Sequence, residues 1–588
     1  MEIRWQNWGP EVFLRAEREH KLILLDITAA WCHWCHVMDE TGYGDPAIAD
    51  IINRDFIPVR VDTDRQPEIN ERYNMGGWPS TAFLTYKGDV VTGATYLPPA
   101  QLKQVLTQIA DLYREREDEV LTVSDQKGLE VEQIFYHPHE AGGQLDAGVI
   151  EHQYQYLRQE FDDVHGGFGR EPKFPNTSAL EFCLTHYYFT QDLPSRKMLE
   201  LTLDIMGQRE IFDHKEGGFF RYSTSRDWNI PHYEKLLEDN AKLIGIYLQA
   251  YNLLQEDEYA DIAVKILEYV ESYLLAGKGG FFASQDADAA YYQLPLEQRL
   301  EKQPPRVDTS IYASGNAAMV SAYLLAAAVL DKPRYRDYSL ETLDILLRDY
   351  ANPQGLFVHS QTALQCLLAD QVYLLRAVTD AYEHTGENAY LEQARKMLDL
   401  LEVLFLDSAS QSLLDRQGSP TDTGRLRYKY IPITENSIAA RLLIKWGHLL
   451  DKPHYHTLAE GILGYFSGIY QKYASQTSEY PLALYNYLNP PIVISVNKTA
   501  ALSVAPGAAA GCYPVIPGQI SGGQAPALLK LIWKSYLPTG IIRYVETGPP
   551  VAICVGKTCY PPMETPANLR QTLERIRESS KPKLPLLG

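Results

Sequence analysis

A glycine-aromatic loop recurs along the middle of this 588-residue chain and constrains its fold more than any other feature. Successive copies lie about 50 to 75 residues apart, which leaves room for two helices and their turns. Self-similarity at such a period marks a helical repeat, and amphipathic helices separate the copies. The sequence therefore predicts a closed (α/α)6 toroid over residues 149–488. The copies read GGFGREPKFP from Gly166, GGFFRYS from Gly217, GGFFASQDADA from Gly279, QGLFVHS from Gln354 and, more weakly, SLLDRQG from Ser412.

The two ends of the chain follow other patterns. Residues 1–120 alternate short apolar runs with helical stretches in the order β-α-β-α-β-β-α, which predicts an α/β domain. Residues 121–148 lose clear periodicity and gain glycine, so we expect a linker there. Residues 489–588 restore strand signals and end in an amphipathic helix, which predicts a small α/β appendage. The fold class is thus multidomain, with a toroid between two α/β parts.

The stretch WCHWCH, directly after the first predicted strand, is compatible with three chemistries. Cys32 and Cys35 form a Cys-x-x-Cys redox pair, and His36 extends it to a c-type haem attachment motif. Haem is disfavoured because the motif occurs once and no export signal precedes it. Zinc needs two further ligands, and only the remote His137 and His139 offer themselves. We therefore expect a redox dithiol, with no metal and no cofactor.

Three further features make the N-terminal region resemble the thioredoxin fold. Trp31 directly precedes Cys32, and Asp26 lies six residues before it. Pro79 follows Trp78 in GGWPST, 44 residues after Cys35 and just before a predicted strand. The resemblance implies that Asp26 is a buried carboxylate that handles protons. It also implies that Pro79 is a cis-proline facing the dithiol.

The residues themselves indicate how the dithiol would react. At a strand-to-helix junction, Cys32 would lie over amide N–H groups that favour its thiolate. Protonated His33 and His36 would add positive charge near the sulfur. Such surroundings lower a thiol pKa from about 8.5 toward roughly 7. We expect Cys32 to be the attacking thiolate and Cys35 the resolving one.

Taken together, the motifs resemble the spermatogenesis-associated thioredoxin-like protein family. The matching stretches include WCHWCHVM, GGWPSTAFL, GGFFRYSTSRDWNIPHYEKLLEDNA and CVGKTCYPP. The resemblance implies a thioredoxin-like domain fused to a toroid of the six-hairpin glycosidase and N-acylglucosamine 2-epimerase type. This chain departs from the family pattern at Phe220, where a histidine is usual, around Asn316, where an Asp-Trp pair is lost, and at Glu435, where a small residue is usual. Toroid chemistry is therefore not expected to carry over intact.

Ionisable residues in the toroid loops are a second set of site candidates. Two carboxylates across a funnel can act as acid and base on a sugar, and a histidine can move a proton. The alternative for each residue is a capping or ion-pairing role. The candidates are His232, Glu234, Lys235, Asp239 and Asn240 in one segment, Asp286 and Asp288 in another, and Lys173. For Cys554 and Cys559 we favour packing or a local disulfide over electron relay.

Charge and composition exclude some functions. A net charge of −21 argues against phosphate contacts with nucleic acid. No uninterrupted apolar run is long enough for a membrane span, and the N-terminus does not read as a secretory signal. Seven cysteines fit a reducing compartment, so we expect a cytoplasmic protein.

Three functional hypotheses follow. The first is a thiol–disulfide oxidoreductase or redox sensor whose toroid binds a substrate or partner. Its partner would be a redox client protein or an electron donor. The second is a sugar-active epimerase, isomerase or glycosidase, with a carbohydrate ligand in the toroid funnel. The third is a non-enzymatic binding scaffold.

Overall fold

The computed structural model describes residues 2–136, 145–363, 365–474, 476–498 and 525–579. His137 and His139 lie outside the described residues. The described chain forms an N-terminal α/β domain, a ring of helices and a C-terminal α/β appendage. The multidomain architecture expected from the sequence is therefore confirmed.

The N-terminal domain is built on a four-stranded sheet in the order β2-β1-β3-β4. Strand β2 is parallel to β1, whereas β3 is antiparallel to both β1 and β4. A π-helical turn at Asp39–Tyr43 follows the second helix, and the last helix covers part of the expected linker. The strands are β1 (Leu22–Thr28), β2 (Phe56–Asp62), β3 (Ser80–Leu84) and β4 (Val90–Ala94). The helices are α1 (Pro10–Glu19), α2 (His33–Met38), α3 (Pro46–Asp55), α4 (Pro67–Tyr73), α5 (Pro99–Glu115) and α6 (Glu117–Phe135).

The middle of the chain forms a closed double ring. Six inner helices contact one another in the order α8-α10-α14-α16-α18-α20 and back to α8. Each inner helix also packs on an outer helix, and the first outer helix, α7, closes the ring against the last inner helix. The inner helices are α8 (Thr177–Thr190), α10 (Leu237–Leu254), α14 (Ala313–Leu330), α16 (Leu368–Thr385), α18 (Ile433–Leu449) and α20 (Glu479–Leu488). The outer helices are α7 (Gly148–Glu160), α9 (Leu193–Gln208), α11 (Asp257–Tyr269), α15 (Pro333–Asp349), α17 (Asn388–Phe405) and α19 (Pro453–Phe466).

Short elements connect these helices at the loop end of the ring. They include two small helices and several two-residue strands, with a π-helical turn at Val270–Leu274 and 3-10 turns at Gly424–Arg427 and Tyr470–Tyr473. The helices are α12 (Ala289–Tyr292) and α13 (Leu296–Arg299). The strands are β5 (Tyr222–Ser223), β6 (Pro231–His232), β7 (Lys235–Leu236), β8 (Ser284–Gln285), β9 (Val307–Asp308), β10 (Leu406–Asp407) and β11 (Ser412–Leu413).

A buried amide side chain explains why the glycine-aromatic loops repeat. In the second loop, Asn240 of α10 accepts a hydrogen bond from the Phe219 N–H and donates one to its carbonyl oxygen. This pair of bonds satisfies both polar groups of a buried loop residue, as a buried backbone requires. The same pattern joins Asn316 to Phe281, Gln371 to Phe357 and Asn436 to Leu413. Asn240 is thus a fixed part of the repeat.

Helix α14 also has the length and apolar composition that a membrane span requires. Among the described residues it is the one helix that meets this test, and 67% of the stretch is buried inside the structure. Its neighbours in the ring, α10, α15 and α16, account for this burial.

The C-terminal appendage is a second small sheet in the order β13-β12-β14-β15. Strand β12 is parallel to β13 and antiparallel to β14. Its strands are β12 (Ile492–Asn497), β13 (Gly540–Val545), β14 (Val551–Val555) and β15 (Thr558–Cys559), and its helices are α21 (Ala525–Trp533) and α22 (Pro566–Ser579).

The N-terminal domain docks on the loop end of the ring. The Arg72 guanidinium donates to both carboxylate oxygens of Asp415, at 2.7 and 3.2 Å. Gly88 packs so closely against Gly424 that a Cβ atom at Gly88 would overlap its backbone. His359 of the ring donates through Nε2 to the Asp64 carbonyl oxygen at 2.7 Å. These contacts place the cysteine motif over the mouth of the toroid.

Candidate functional site

The dithiol lies where the sequence predicts, between β1 and α2. Cys32 caps α2, and the Cys35 backbone N–H donates to the Cys32 Sγ at 3.1 Å. The two residues are paired as a disulfide, with Cα atoms 5.3 Å apart. Such an N–H contact stabilises a thiolate at Cys32 in the reduced state.

Both cysteines are buried, which the sequence did not indicate. Cys32 is 4% exposed and Cys35 is 3% exposed. They form a small apolar cluster with Trp31, packed against Trp78 of the same domain and Leu236 of the toroid. The toroid therefore covers the dithiol.

The two histidines of the motif contact the two toroid loops. His36 Nε2 lies 3.2 Å and 3.1 Å from the two carboxylate oxygens of Asp286. This hydrogen bond to Asp286 raises the pKa of His36 and favours its cationic form. The ring of His33 lies 6.4 Å from the ring of His232. His232 and Asp286, predicted as toroid candidates, thus converge on the dithiol.

His232 belongs to a chain of polar contacts that leads to the tryptophans beside the dithiol. Its Nδ1 forms a short hydrogen bond with Glu234, which is buried and lies 3.6 Å from the Arg221 guanidinium. That guanidinium is held over the rings of Trp31 and Trp78, 4.7 and 4.8 Å from their centroids. Cation–π contacts of this kind fix the cation and the rings together.

Asp26 is buried as expected but has partners of its own. The register of β1 and β2 sets it opposite Arg60, whose Nε donates to it at 2.7 Å. The Tyr43 hydroxyl lies 3.4 Å from its other oxygen. Burial raises the pKa of Asp26 to about 6, although Arg60 opposes the rise. The Trp78–Pro79 peptide bond is cis.

A cavity of about 500 Å³ lies between the N-terminal domain and the toroid. Trp31 and Trp78 form part of its wall on one side, and Tyr312 and Tyr373 on the other. Five carboxylates also face it: Asp64, Glu71, Glu238, Asp239 and Glu435.

Burial raises the pKa values of most of these carboxyl groups. The pKa of Asp239 rises to about 6, and those of Asp64 and Glu435 rise to about 7. Each has at least one carboxylate neighbour that adds to the rise. Glu238 is the exception, because the ammonium group of Lys242 lowers its pKa.

Four of the predicted toroid residues have structural contacts instead and do not line this cavity. The Lys173 Nζ binds Asp162 and the Gly166 carbonyl, at 2.7 and 2.6 Å. Lys235 repeats the arrangement in the next loop, with Asp213 and the Gly217 carbonyl. Asp288 accepts from the Tyr291 N–H and caps a short helix, and Asn240 has the loop role described above. Catalysis by these residues has no support in their contacts.

Several site residues were missed in the sequence. Arg221 lies in the conspicuous RYS segment, so its loop position was a usable signal. Asp64 and Glu71 had no such signal. They lie in or just before α4 and belong to no recognisable motif, and only the docking of the two domains makes them part of the cavity wall. Among the residues that the structure describes, no group of three or more His, Cys, Asp or Glu side chains could hold a metal ion.

A second cavity, of about 690 Å³, lies in the ring toward the appendage. Several of its charged side chains pair with one another, as Arg441 does with Glu181 at 2.7 Å and Lys445 with Glu383 at 2.9 Å. No described residue of the N-terminal domain lines it, whereas Trp31 and Trp78 line the other cavity, so the cavity under the N-terminal domain is the candidate site.

The chain is similar to known proteins in its N-terminal region and along much of its length. Residues 1–131 match the family model "Thioredox_DsbH: Protein of unknown function, DUF255". The human spermatogenesis-associated protein 20 is 26% identical over 535 residues, covering 69% of this chain and 68% of the human protein. The mouse protein of that name is 33% identical over 308 residues, covering 49% of this chain and 39% of its own length. The resemblance expected from the sequence is confirmed.

The chain also has partial similarity to solved structures. Cellobiose 2-epimerase from Bacillus thermoamylovorans covers 54% of this chain and 86% of its own, with 12% identity and a TM-score of 0.46. A thioredoxin from Thermus thermophilus covers 19% of this chain and 90% of its own, with 23% identity and a TM-score of 0.18.

Proposed function

We propose that this chain is a cytoplasmic redox-sensing protein in which thiol–disulfide exchange at Cys32 and Cys35 controls a ligand-binding toroid. The observation that carries the proposal is the position of the dithiol. Both cysteines are buried in a cluster that Leu236 of the toroid packs against, and His36 and His33 contact Asp286 and His232. A change at the dithiol therefore acts directly on toroid loops.

The exchange itself needs a small-molecule disulfide as oxidant. The Cys32 thiolate attacks one sulfur of that disulfide, forms a mixed disulfide and releases one thiolate. Cys35, after losing its proton, attacks the Cys32 Sγ and expels the second thiol. The dithiol is oxidised by two electrons, and the small disulfide is reduced to two thiols.

Side chains around the dithiol support this chemistry. The Cys35 backbone N–H, 3.1 Å from the Cys32 Sγ, favours a thiolate at Cys32. Asp26 is a candidate for the proton of Cys35 because its pKa of about 6 permits both forms near neutral pH. Its ion pair with Arg60 opposes this role, because Arg60 favours the ionised form of Asp26.

Burial favours a sensor over a general reductase of protein disulfides. A client protein must bring its disulfide within bonding distance of Cys32, which is 4% exposed and lies in the cluster that Leu236 packs against. A small disulfide requires a smaller opening. We therefore expect slow reduction of insulin and faster exchange with glutathione disulfide.

A sugar-active toroid is the second candidate function. It is favoured by Asp239 and Glu435, whose pKa values of about 6 and 7 suit proton transfer near neutral pH. Epimerase and isomerase assays on unmodified sugars test it, with the double variant D239N/E435Q as the inactive control. No turnover of any sugar would remove this candidate.

The test of the redox proposal combines a titration with a readout in the toroid. Wild-type protein is equilibrated across glutathione redox buffers, and the Cys32–Cys35 disulfide is quantified by mass spectrometry. Hydrogen exchange is then compared between the oxidised and reduced forms. We expect differences in residues 232–240 and 284–288, where the toroid contacts the motif.

Two variants control this experiment. The double variant C32S/C35S should lose the redox-dependent exchange difference, and C366S, which removes a thiol outside the motif, should keep it. A dithiol that never oxidises at any accessible potential would sink the proposal. So would identical exchange in the toroid loops of the two forms.

A further inference from the structure

His359 presents its two ring nitrogens to oxygen atoms of two different domains. Its Nε2 lies 2.7 Å from the backbone carbonyl oxygen of Asp64 in the N-terminal domain. Its Nδ1 lies 3.0 and 3.2 Å from the two carboxylate oxygens of Asp370 on α16 of the toroid. Because His359 is only 5% exposed, these protein groups rather than bulk water decide how many protons its imidazole carries.

Hydrogen-bond counting indicates the proton state of this imidazole. A backbone carbonyl oxygen accepts hydrogen bonds and cannot donate them, so Nε2 has to carry a proton to bind Asp64. A neutral imidazole would then turn the lone pair of Nδ1 toward the Asp370 carboxylate. The imidazole holds a second proton better than Asp370 does, because a carboxyl group is ordinarily a much stronger acid than an imidazolium ion. Both contacts are therefore satisfied together when His359 is an imidazolium ion.

Contacts in both domains hold the two partners in position. In the toroid, the imidazole of His359 stacks on Tyr312, with the ring centroids 4.9 Å apart and the planes inclined by 18°. In the N-terminal domain, the Asp64 carboxylate accepts a hydrogen bond from the Trp31 Nε1 at 2.7 Å. The bond between His359 and Asp64 therefore joins two parts of the molecule that are each fixed by other contacts.

The electrostatic surroundings favour the same proton state. Burial disfavours a cation, but Asp370 and the Asp64 carbonyl oxygen outweigh it and raise the pKa of His359 to about 9. One of these two groups, the carbonyl oxygen, is beside the imidazole only while the domains are docked. An undocked imidazole therefore binds its proton less tightly, so docking is linked to protonation.

We propose that His359 is a proton-linked latch, which fastens the N-terminal domain to the toroid as an imidazolium ion and releases this contact on deprotonation. A neutral imidazole has one N–H for two acceptors, so it has to give up either Asp64 or Asp370. The inference goes beyond the proposed function and does not depend on thiol chemistry.

The direction of the pH dependence follows from the raised pKa. A histidine whose pKa is higher in the docked state contributes fully to docking below its undocked pKa. That contribution is lost as the pH rises through about 9, the docked value of His359. The latch therefore holds at neutral pH and opens in alkaline solution.

The other ionisable groups around the imidazole have different titrations. The groups that face His359 are Asp64, Glu68, Glu238, Tyr312 and Asp370. Burial raises the pKa of Asp64 to about 7, below the alkaline range, and raises that of Tyr312 above its ordinary value of about 10. Lys242 lowers the pKa of Glu238. Burial raises the pKa of Glu68 toward the alkaline range, so the variant E68Q is included as a control.

Histidine hydrogen exchange tests the proposal on the full chain. The exchange rate at the imidazole Cε1, followed over pH by mass spectrometry of the peptide that carries His359, gives the pKa of this residue. We expect a value of about 9 in the wild type. D370N removes the carboxylate and keeps its shape, so it should lower this pKa by about one unit or more. The exposed His454, 2.8 Å from Glu402, is the internal control, and its exchange should not change.

Amide hydrogen exchange of α4, which directly follows Asp64, measures docking. After correction for intrinsic rates, exchange in the wild type should rise about fivefold between about pH 7.5 and about pH 10, since the latch opens in this range. H359Q can donate to the Asp64 carbonyl oxygen at any pH and should lose the rise. D370N should move the rise to lower pH, and E68Q and H454Q should leave it unchanged.

Two further variants keep the test decisive. If H359Q fails to fold, judged by circular dichroism and thermal unfolding, D370N tests the latch on its own, because it should move the rise rather than remove it. D286N changes the separate contact of His36 at α2 and should leave the α4 profile in place.

Three results would overturn the inference. These are an ordinary pKa of about 6.5 for His359, the same α4 profile in wild type and H359Q, or a rise that does not move in D370N. The variant C32S/C35S separates the inference from the redox proposal. An alkaline rise that persists in this variant supports the latch, and loss of the rise there contradicts it.

Discussion

The chain contains two cysteine pairs in opposite surroundings. Cys554 and Cys559 are opposite residues of the β14–β15 hairpin and form a local disulfide with Cα atoms 4.0 Å apart. Cys559 is exposed at the surface of the appendage. Cys32 and Cys35 are instead buried in a cluster that the toroid packs against, and each is followed by a histidine that contacts the toroid.

The difference between the pairs is one of coupling. Changing the redox state of the hairpin pair affects the four-residue turn between its cysteines, which lies at the surface. Changing the dithiol state alters an apolar cluster shared by two domains. Reactivity with external reagents should therefore favour the hairpin pair, and control of the toroid should belong to the buried pair.

The largest expected effect is in the alkylation of the reduced protein. Cys559 should react with iodoacetamide on the order of 100-fold faster than Cys32, because Cys32 requires a local opening that costs about 2.7 kcal/mol. Peptide mass spectrometry over a time course measures both rates. Equal rates would mean that the N-terminal domain spends much of its time undocked.

Removal of the hairpin disulfide should have the next largest effect. In C554S/C559S we expect the appendage to lose about 2 kcal/mol of stability, the loop-closure estimate for so short a loop. Denaturant titration followed by hydrogen exchange in β14 measures the loss. The Cys32–Cys35 redox equilibrium should stay the same, and a shift there would revive the electron-relay hypothesis.

Leu236→Ala should bring the two pairs closer in reactivity. Loss of the apolar cover over the dithiol should raise Cys32 alkylation about tenfold, since this corresponds to about 1.4 kcal/mol of lost burial. Cys559 should be unaffected. The matched control is Leu193→Ala, an exposed leucine of the ring, which should change neither rate.

The smallest effect should come from the contact between His36 and Asp286. Asp286→Asn should raise Cys32 alkylation about twofold to threefold, because a partly exposed pair contributes less than about 1 kcal/mol. Asp286 raises the pKa of His36, so the contact stabilises docking fully below the ordinary histidine pKa and is lost as pH rises through the raised value.

The pH profile separates this contact from a general loss of packing. In wild type, hydrogen exchange of α2, corrected for intrinsic rates, should increase as pH rises above neutrality. In Asp286→Asn this dependence should flatten, while Leu236→Ala should keep it. A wild-type profile identical to that of Asp286→Asn would show that the contact contributes nothing to docking.

Local pattern predicted most of the architecture. The repeat of glycine-aromatic loops led to the ring, because four of the five loops are held by an amide side chain from the following inner helix. The strand before Cys32 placed the dithiol correctly. Helix α6 inside the expected linker was missed, since its hydrophobic periodicity is weak and it follows the terminal helix of the domain directly.

The candidate site was only half accessible from sequence. His232 and Asp286 were selected as ionisable loop residues, as were Lys173 and Lys235 from equivalent loops. The sequence alone does not tell the site residues His232 and Asp286 from the structural residues Lys173 and Lys235, because all four follow glycine-aromatic loops. The structure separates them: the lysines are neutralised within their own loops, and His232 and Asp286 extend to another domain.

The sequence by itself determined that the chain has a dithiol after a strand and a helical ring built of repeats. Both features depend on residues that are close in the sequence. The local hydrogen-bonding pattern and the spacing of apolar residues determine which helices and strands these residues form. The tertiary structure alone decided that the dithiol is buried, that His36 lies beside a carboxylate 250 residues away, and that five acidic residues line one cavity. These features depend on how the two domains dock. Docking is the combined result of many weak contacts between residues that are far apart in the sequence.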